Sequence, residues 1–338
     1  MIGTSFPFKM QKKIKKTKVV IVVGPTASGK SDLAVSIAKK FKGEIISADS
    51  RQVYRGMDIG TGKITKGEMK GIKHHLLDVA DPRKRFNAEE YRILARKAID
   101  KIISRGKLPI ICGGTGFYIE ALLNESLLSD VPPNLKLRKK LSKKSPAQLL
   151  LILKKLDPKR AATIEKSDSE RNNQRRIIRA IEVAYKGSPW IKIVQGRTLY
   201  KPSRTRVALV QTKGSPCINR YDTIYIGIKP SSRDELRKRI LVRLLRRLRH
   251  GMIDEGRRLH GKGLSWHRMD ELGLEYRYLA KYLQEKMTGE EMIERLNTEI
   301  WHYARRQMTW FKRNKKIKWF GPADKKKIAE RVGDFLEK

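Results

Sequence analysis

The chain has 338 residues, and its 77 Lys and Arg against 35 Asp and Glu give a formal net charge of +42. Its length allows two domains, or one domain with a large insertion, and a sizeable buried core. Cys112 and Cys217 lie far apart without a metal-ligand spacing, which argues against a disulfide framework or a zinc site and fits a reducing cytoplasm. No apolar run approaches the roughly 20 residues of a membrane span, so no membrane segment is predicted.

The excess of positive charge indicates a polyanionic partner. A source organism whose proteins are generally rich in lysine is the alternative, and one sequence leaves it open. Residues 1–17 form a basic tail with a cluster of lysines near its end. We interpret this segment as a solvated tail, with contact to RNA as the alternative.

Strand-like and helix-like segments alternate in the first third of the chain. Val19–Val23 is a continuous β-branched run, which is typical of a strand buried on both faces of a parallel sheet. The alternation predicts an α/β fold with a doubly wound parallel-sheet core over residues 18–124. The further helices and strands are predicted at Asp32–Phe41, Glu44–Ser47, Ala88–Arg105 and Leu108–Cys112.

The pattern changes after Asn124. Residues 125–185 are lysine-rich helical segments interrupted by prolines, and we predict a helical insertion there. Residues 186–222 carry glycines and prolines between short β-like pieces such as Ile191–Val194, which favours hairpins or long loops.

The last part, 186–338, is predicted to return to the core sheet and to end in basic helices. Thr223–Ile228 has the apolar and β-branched composition of another buried strand. Two amphipathic helices are predicted near 233–250 and 290–313. The C-terminal third is therefore expected to be helical and strongly basic.

A glycine-rich loop follows the first predicted strand and precedes a helix, which is the context of a phosphate-binding P-loop. Its backbone N–H groups and the positive end of the helix can bind phosphate oxygens. Lys30 adds a full charge, and the Ser31 hydroxyl is a natural Mg²⁺ ligand. The loop alone does not distinguish ATP, GTP or another diphosphate ester. The predicted diphosphate-binding residues are Gly24, Thr26, Ala27, Ser28, Gly29, Lys30 and Ser31.

Polar residues also follow the second and third predicted strands, at the edge where open α/β proteins bind ligands. Asp49 suits a catalytic base there, and a helix N-cap or an outer Mg²⁺ contact is the alternative. Thr115 lies among Gly113, Gly114 and Gly116, which allow the backbone to approach a ligand. A tight turn without a ligand is the alternative for this second segment.

Six ordered segments between about residues 19 and 320 together resemble the tRNA dimethylallyltransferase family. They are far more specific than a P-loop alone. The segments are Gly-Pro-Thr-Ala-Ser-Gly-Lys-Ser at 24–31, Ile-Ser-Ala-Asp-Ser-Arg-Gln-Val-Tyr at 46–54, Met-Asp-Ile-Gly-Thr-Gly-Lys at 57–63, His-His-Leu-Leu-Asp at 74–78, Gly-Gly-Thr-Gly-Phe-Tyr at 113–118 and Arg-Arg-Gln-Met-Thr-Trp-Phe at 305–311.

The resemblance implies that the P-loop holds dimethylallyl diphosphate and that no nucleotide is hydrolysed. The acceptor would be N6 of the adenosine 3′ to the anticodon in tRNA, with Asp49 accepting its proton. Thr115 would help order the substrates, and Mg²⁺ bound with Ser31 would stabilise the leaving diphosphate. The implied partners are the tRNA anticodon stem-loop and the prenyl donor, for a monomeric protein without a membrane partner.

The resemblance also places an arginine facing the diphosphate at Arg243. At about 100° per residue, Arg239, Arg243 and Arg246 share one stripe of the predicted helix. That stripe would lie opposite an apolar face, and exposure to solvent is the alternative to a phosphate contact. We predict the phosphate contact for Arg243 only. The apolar face is predicted to comprise Leu241, Leu244, Leu245 and Leu248.

Contacts to tRNA are implied at three places. The first is the loop after the second strand together with Thr115, the second is the helical insertion, and the third is the helix near 290–313. The core face of that helix is predicted to comprise Ile293, Leu296, Ile300, Ala304, Met308 and Phe311. Gln307 and Trp310 could contact bases, although packing is the alternative for the tryptophan. The implied residues are Asp49, Ser50, Arg51, Gln52, Thr115, Arg138, Arg175, Arg176, Arg179, Arg305, Arg306, Gln307 and Trp310.

Two segments depart from the family pattern. Many members have Gly-Tyr-Lys or Gly-Tyr-Arg where this chain has Leu272–Arg277, so no contact is predicted there, and 186–222 is longer than usual. Three other functions stay open: a P-loop kinase of a nucleoside or small metabolite, a prenyltransferase of free AMP or ADP, and a non-catalytic RNA-binding module.

Overall fold

The computed structural model describes residues 16–124, 131–186 and 220–338. The chain divides into two compact units, of which one comprises Met1–Glu125 with Ile218–Lys338 and the other Ser126–Cys217. We call them the core unit and the helical unit. The predictions for the basic tail before Lys16 and for Ile191–Val194 lie outside the described residues.

The core unit is built on six parallel strands in the order β3-β2-β4-β1-β5-β6. The central strand β1 is completely buried over Val19–Val22, as its β-branched composition predicts. Val20 lies between Ile110 of β4 and Ile224 of β5. The strands are β1 (Thr17–Val23), β2 (Gly43–Ser47), β3 (His74–His75), β4 (Leu108–Gly113), β5 (Tyr221–Ile228) and β6 (Lys318–Phe320).

Helices cover both faces of this sheet. On one face, α1 (Lys30–Lys40) shares an apolar core with Val20 and Val22. On the other face, α3 (Ala88–Ile103) and α4 (Gly116–Leu123) pack on Val19 and Ile21. A short helix, α2 (Lys66–Met69), lies between β2 and β3 in the chain. The predicted α/β fold with a doubly wound parallel sheet is confirmed.

The described part of the helical unit consists of helices around its own apolar core. Pro146 and Pro158 each open a helix, after the capping side chains Ser145 and Asp157. Leu149, Leu153, Ile164 and Ile177 are fully buried between the helices. The helices are α5 (Leu135–Leu141), α6 (Pro146–Leu156), α7 (Pro158–Glu165), α8 (Asp168–Arg171) and α9 (Gln174–Lys186).

The end of the chain contains more helices than the sequence predicted. Two were expected, and they are α10 (Arg233–Arg249), capped by Ser232, and α14 (Gly289–Lys312), capped by Thr288. The sequence analysis missed β3, β6, the short helices α2 and α4 of the core, and four helices of this C-terminal part, of which three are 10 to 13 residues long. None of the helices in the described ranges has the length and apolarity to cross a membrane. The missed helices of the C-terminal part are α11 (Met252–Gly261), α12 (Trp266–Leu272), α13 (Leu274–Leu283) and α15 (Lys325–Glu337).

The buried faces of α10 and α14 differ from their predicted faces. Leu241 was assigned to the apolar face of α10, but it is 37% exposed, because the buried stripe follows a narrower path through Leu236, Ile240 and Leu244. On α14, Ile293 and Met308 are only partly buried. The buried positions of α14 are Met292, Leu296, Ile300, Ala304, Gln307 and Phe311.

Candidate active site

A cavity of about 850 Å³ lies at the carboxyl ends of β1, β2 and β4. Nine Lys and Arg side chains and five Asp and Glu side chains line it, so the wall carries a net positive charge. Such a cavity favours anionic ligands. Helix α10 contributes five of the cations, which are Lys238, Arg239, Arg243, Arg246 and Arg247.

The phosphate loop forms one wall of the cavity. Ala27 and Gly29 have positive φ angles of 61° and 86°, which curve the loop into the first turn of α1. A side chain at Gly24 would come within 2.6 Å of the Ile228 carbonyl oxygen, so the loop also needs a glycine where it passes β5. The first N–H groups of α1 have no acceptor within the helix, and they face the site expected for a phosphate.

Polar side chains of the loop lack strong protein partners. The Lys30 ammonium donates to the Pro25 carbonyl oxygen at 3.2 Å, and burial lowers its pKa. The Ser28 hydroxyl is buried, and no hydrogen-bond partner for it occurs in the described ranges. Ser31 is exposed on the cavity wall and contacts the Cys112 thiol. An anion would therefore satisfy groups that the protein alone leaves weakly bonded.

Gln307 connects two of the loops at the cavity. Its Oε1 accepts a hydrogen bond from the Thr26 N–H at 2.8 Å, and its Nε2 donates to the Gly114 carbonyl oxygen at 3.0 Å. The side chain is buried, and a Cβ at Gly114 would lie 2.1 Å from Nε2. Gln307 thus ties the loop after β1 to the loop after β4. Its implied contact with a tRNA base stays a prediction.

Asp49 lies on the cavity wall and also stabilises the turn after β2. Its Oδ1 accepts hydrogen bonds from the N–H groups of Arg51 at 2.8 Å and Gln52 at 3.4 Å. Within the described part of the chain, Oδ2 has no hydrogen-bond partner. The capping role, which was the alternative, therefore coexists with a carboxylate oxygen that is available to a ligand.

Thr115 joins the same two strand ends. Its N–H donates to the Ala48 carbonyl oxygen and its Oγ1 accepts from the Ser50 N–H, each at 3.0 Å. Its hydroxyl also contacts the hydroxyl of Tyr303. The structure thus brings the two predicted residues Asp49 and Thr115 into adjoining loops.

Tyr303 of α14 is a cavity residue that the sequence analysis missed. Burial raises the pKa of its phenol well above the usual value, and the negative charge of Asp49 adds to this shift. Tyr303 lies one helical turn before Arg306 and Gln307, which were both predicted to be functional, so helical spacing was the signal that could have found it.

Arg243 lies on the cavity wall and has no ion-pair or hydrogen-bond partner within the described ranges, and its predicted contact with a phosphate stays a prediction. Burial lowers its pKa to about 10, and the neighbouring charges of Arg247 and Arg246 contribute in the same direction. Arg239 forms an ion pair with Glu235. Arg243 is therefore a partly buried cation without a direct ion-pair partner, although the charges of Glu275 and Glu68 act on it; such a cation is suited to bind an anion.

The segment 272–277, for which no contact was predicted, also lines the cavity. Its Glu275 accepts a hydrogen bond from Arg247 at 3.0 Å. The loop at 57–63 supports this pair, because Arg247 also donates to the Gly60 carbonyl oxygen at 3.2 Å. The family-like segment at 57–63 is thus connected, through Arg247, to Glu275 in a segment that departs from the family pattern.

The loop at 57–63 is itself held by a buried carboxylate. Glu255 of α11 accepts hydrogen bonds from the N–H groups of Asp58 and Ile59 at 2.8 Å and of Gly60 at 2.9 Å. The Tyr276 hydroxyl donates to the same side chain at 2.7 Å. The loop therefore has little freedom to move relative to the C-terminal helices.

The tRNA-binding arginines predicted in the helical unit have structural partners. Arg138 binds the buried Glu182 through two hydrogen bonds of 2.7 Å, and Arg179 binds the same carboxylate at 3.1 Å. Arg176 pairs with Glu170 at 2.5 Å, and Arg175 is exposed. Their contacts with tRNA stay predictions, and at least Arg138 and Arg179 also hold the unit together.

The three remaining tRNA-binding predictions lie on α14. Arg305 and Arg306 are exposed, and Arg306 reaches the cavity wall. The Trp310 ring packs edge-on against Phe117, with 6.4 Å between the ring centroids, and covers Gly116. Packing, the alternative for this tryptophan, is therefore what the structure shows, and base stacking stays a prediction.

The residues present fit a magnesium ion that is bound mainly by its ligand. Ser31 offers a hydroxyl on the cavity wall, next to the expected phosphate position. In the described ranges, no group of three or more His, Cys, Asp or Glu side chains could hold a metal. Mg²⁺ usually keeps several waters and binds substrate phosphates with one or two protein ligands, so a single hydroxyl is compatible with it.

Known proteins are similar in sequence to this chain over most of its length. Residues 52–314 match the IPP transferase family. The chain is 41% identical to tRNA dimethylallyltransferase 1 of Syntrophus aciditrophicus over 298 residues, which cover 87% of this chain and 89% of that protein.

Two solved structures extend the comparison to the fold. The full-length tRNA isopentenylpyrophosphate transferase from Bacillus halodurans is 35% identical, with a TM-score of 0.66 over 95% of this chain and 97% of that chain. A eukaryotic dimethylallyltransferase acting on tRNA has a TM-score of 0.74 over 95% of this chain and 80% of that chain, and at 24% identity it supports the fold alone. The resemblance predicted from the six segments is confirmed, and the chain belongs to the IPP transferase family.

Proposed function

We propose that this protein transfers the dimethylallyl group of dimethylallyl diphosphate to N6 of the adenosine 3′ to the anticodon in tRNA. The observation that carries this proposal is the cavity in which the phosphate loop, the Asp49 carboxylate and an unpaired Arg243 meet. A diphosphate can occupy the cationic side, and an amine acceptor can reach the carboxylate. The family and the relatives' names support tRNA prenylation.

The donor's diphosphate is bound by the phosphate loop, Lys30 and Arg243. The N–H groups of the loop and the first turn of α1 bind its oxygens, and the helix end adds a favourable dipole. Because both cations are partly buried and have weak or no hydrogen-bond partners within the protein, the diphosphate gains strong charge-assisted hydrogen bonds there. Ser31 would hold Mg²⁺ together with the diphosphate, and the bound ion would supply further charge neutralisation to the leaving group.

The acceptor amine binds beside Asp49 and Thr115. As its nitrogen forms a bond to C1 of the donor, the bond from C1 to the diphosphate oxygen breaks, and the amine proton passes to Oδ2 of Asp49. The two N–H groups bonded to Oδ1 orient the carboxylate for this transfer. The allylic carbon delocalises the positive charge that develops during the displacement, so the site must exclude water.

The target base must leave the anticodon-loop stack to reach this cavity. The formal charge of +42 supplies the attraction to the tRNA phosphates. Exposed cations such as Arg175, Arg305 and Arg306 are suited to position the RNA backbone without reading bases.

The decisive experiment is nucleoside mass spectrometry of unmodified tRNA incubated with the protein, Mg²⁺ and dimethylallyl diphosphate. We expect one prenyl group on the adenosine next to the anticodon, and no product when this adenosine is replaced by guanosine. Labelled donor that reaches AMP or ADP but not tRNA would contradict the proposal and favour the free-nucleotide enzyme. Phosphate transfer from ATP to a small molecule would favour the kinase.

A further inference from the structure

Helix α10 presents two arginines one turn apart to the cavity, and they differ in their partners. Arg243 has no ion-pair or hydrogen-bond partner in the described ranges. Arg247 donates from Nη1 both to Oε1 of Glu275 at 3.0 Å and to the Gly60 carbonyl oxygen at 3.2 Å. The side chains of Arg247 and Glu275 are only 12% and 11% exposed. Of these two guanidinium groups on the same wall, that of Arg247 therefore has a direct carboxylate partner, and that of Arg243 has none in the described ranges.

The position of Arg247 is built into the fold. Its guanidinium lies against Gly62, where φ is +57° and a Cβ would come within 2.0 Å of Nη2. The neighbouring Gly60 is fixed through its N–H by Glu255 at 2.9 Å. Arg247 therefore cannot move far unless the loop at 57–63 moves with it.

Glu275 brings a negative charge to a cavity suited to anions. It lies in the first turn of α13, on the cavity wall, within the segment that departs from the family pattern. Burial raises its pKa, whereas the charge of Arg247 acts in the opposite direction. Asp49 and Arg51 also act on it, and the charge of Glu275 in turn acts on Arg243. Such a carboxylate does not assist diphosphate binding directly, so its pairing with Arg247 requires another explanation.

We propose that Glu275 is an internal anion that neutralises Arg247 and so limits how tightly the cavity binds diphosphate. This inference rests on the proposed function, in which diphosphate is the leaving group and must depart after each transfer. With the pair intact, the diphosphate is held by the loop, Lys30 and Arg243. Glu275 is thus a positioning and affinity-setting residue, without a direct part in bond formation.

The substitution Glu275→Gln separates this role from a purely structural one. Glutamine keeps the shape of the side chain and an oxygen acceptor for Nη1, but it removes the counter-charge of Arg247. The cavity then gains one net positive charge, and an anion should bind more tightly. If the pair only supported the fold, the same change would weaken binding or leave it unchanged.

Arg247→Met combined with Glu275→Gln provides the matched control. The double variant removes both charges of the pair, so the net charge of the cavity stays as it is in the unaltered protein. Its diphosphate affinity should then stay within about twofold of that of the unaltered protein, whereas Arg247→Met alone should not bind diphosphate more tightly. The tighter binding is therefore expected only when Arg247 is present, which makes it a coupling between two contacting residues.

The experiment is isothermal titration of inorganic diphosphate with Mg²⁺ into the full-length protein and these three variants. We expect Glu275→Gln to bind about fivefold more tightly, with a steeper loss of affinity as salt rises. Equal or weaker binding by this variant would overturn the inference, as would clearly weaker binding by the double variant, which would make Arg247 a direct ligand.

Prenylation of tRNA by the unaltered protein is measured in parallel. A protein that binds diphosphate but does not prenylate tRNA would refute the proposed function, while the variant series would still decide the role of Glu275. A protein that prenylates tRNA but whose Glu275→Gln variant binds no more tightly would refute this inference alone.

Discussion

Two sets of arginines in this molecule have opposite surroundings. In the helical unit, Arg138 and Arg179 share the buried carboxylate of Glu182. In the core unit, Arg243 lies on the cavity wall with Arg246 and Arg247 nearby and, within the described ranges, no direct ion-pair or hydrogen-bond partner, although Glu275 and Glu68 act on it from a distance. The difference separates cations that stabilise the fold from cations that await a ligand. A net charge of +42 does not reveal this distinction by itself.

The largest effect is expected at the carboxylate that shares the cavity with Arg243. Asp49→Asn keeps the size of the side chain but removes the proton acceptor, so transfer should fall by about 10² to 10⁴. Binding of tRNA should persist, because the phosphate contacts are unchanged. Single-turnover transfer of labelled donor and a tRNA filter-binding assay measure the two quantities. Comparable losses of both would mean that Asp49 acts in binding rather than in proton transfer.

Substituting Glu182 tests the first set of arginines, Arg138 and Arg179, which bind its carboxylate. Glu182→Ala leaves the Asn134 N–H and both arginines without their buried acceptor, and should destabilise the helical unit by about 2 kcal/mol. Urea denaturation and limited proteolysis measure this loss. Glu165→Ala is the control, because Glu165 forms an exposed ion pair with Lys154, and little change is expected there. Equal effects of the two substitutions would remove the contrast between the two sets of arginines.

Substituting Arg243, which has no direct partner in the described ranges, should not lower the stability of the protein. Arg243→Met removes a partly buried cation that has no direct ion-pair partner, so the free energy of unfolding should stay the same or rise by up to about 1 kcal/mol. The affinity for inorganic diphosphate should fall by about tenfold, because a charge-assisted contact is lost. Thermal denaturation with and without diphosphate measures both. A marked loss of stability without ligand would show that Arg243 is part of the structural framework.

The sequence predicted the core sheet well and the surroundings of the site less well. The β-branched run at Val19–Val23 and the phosphate loop are local signals, because adjacent residues define a buried strand and a tight turn. The pair formed by Arg247 and Glu275 joins residues that are 28 positions apart in the chain. In the sequence, each of the two residues resembles an ordinary surface charge. Local periodicity cannot reveal such a contact.

The same reasoning explains the different outcomes for α14. Its apolar spacing predicted the helix, but the predicted core face did not include Gln307. Gln307 is buried because its side-chain amide forms hydrogen bonds with backbone groups of two distant loops. Its oxygen accepts from the Thr26 N–H, and its nitrogen donates to the Gly114 carbonyl oxygen. A polar residue can occupy a core position when its hydrogen bonds are satisfied, and only the tertiary structure supplies those partners.

The smallest expected effect is on stability at acid pH. It concerns Glu44 of the core unit, a carboxylate that forms ion pairs with several basic side chains. Glu44 at the start of β2 is buried and binds His75 at 2.7 Å, Arg105 at 2.6 Å and Lys107 at 2.9 Å. Burial alone would raise the pKa of Glu44, but the hydrogen bonds from His75 and Lys107 and the nearby charges hold it below the ordinary value of 4.5. The folded state therefore binds this proton less readily than the unfolded state.

A depressed carboxyl pKa adds stability above the unfolded value, and this stability is lost as the pH falls through the folded value. The contribution of Glu44 should thus be complete near pH 6 and decline below about pH 4.5. We expect it to be less than about 1 kcal/mol, because Arg105 and Lys107 are partly exposed to solvent. Urea denaturation of the protein and of Glu44→Gln between about pH 3 and pH 7 should show the two stability curves converging on the acid side. Parallel curves would place the acid sensitivity in other carboxylates, with Glu182 of the helical unit as the next to test, because its pKa is lowered by hydrogen bonds from Arg138 and Asn134 against the opposing effect of burial.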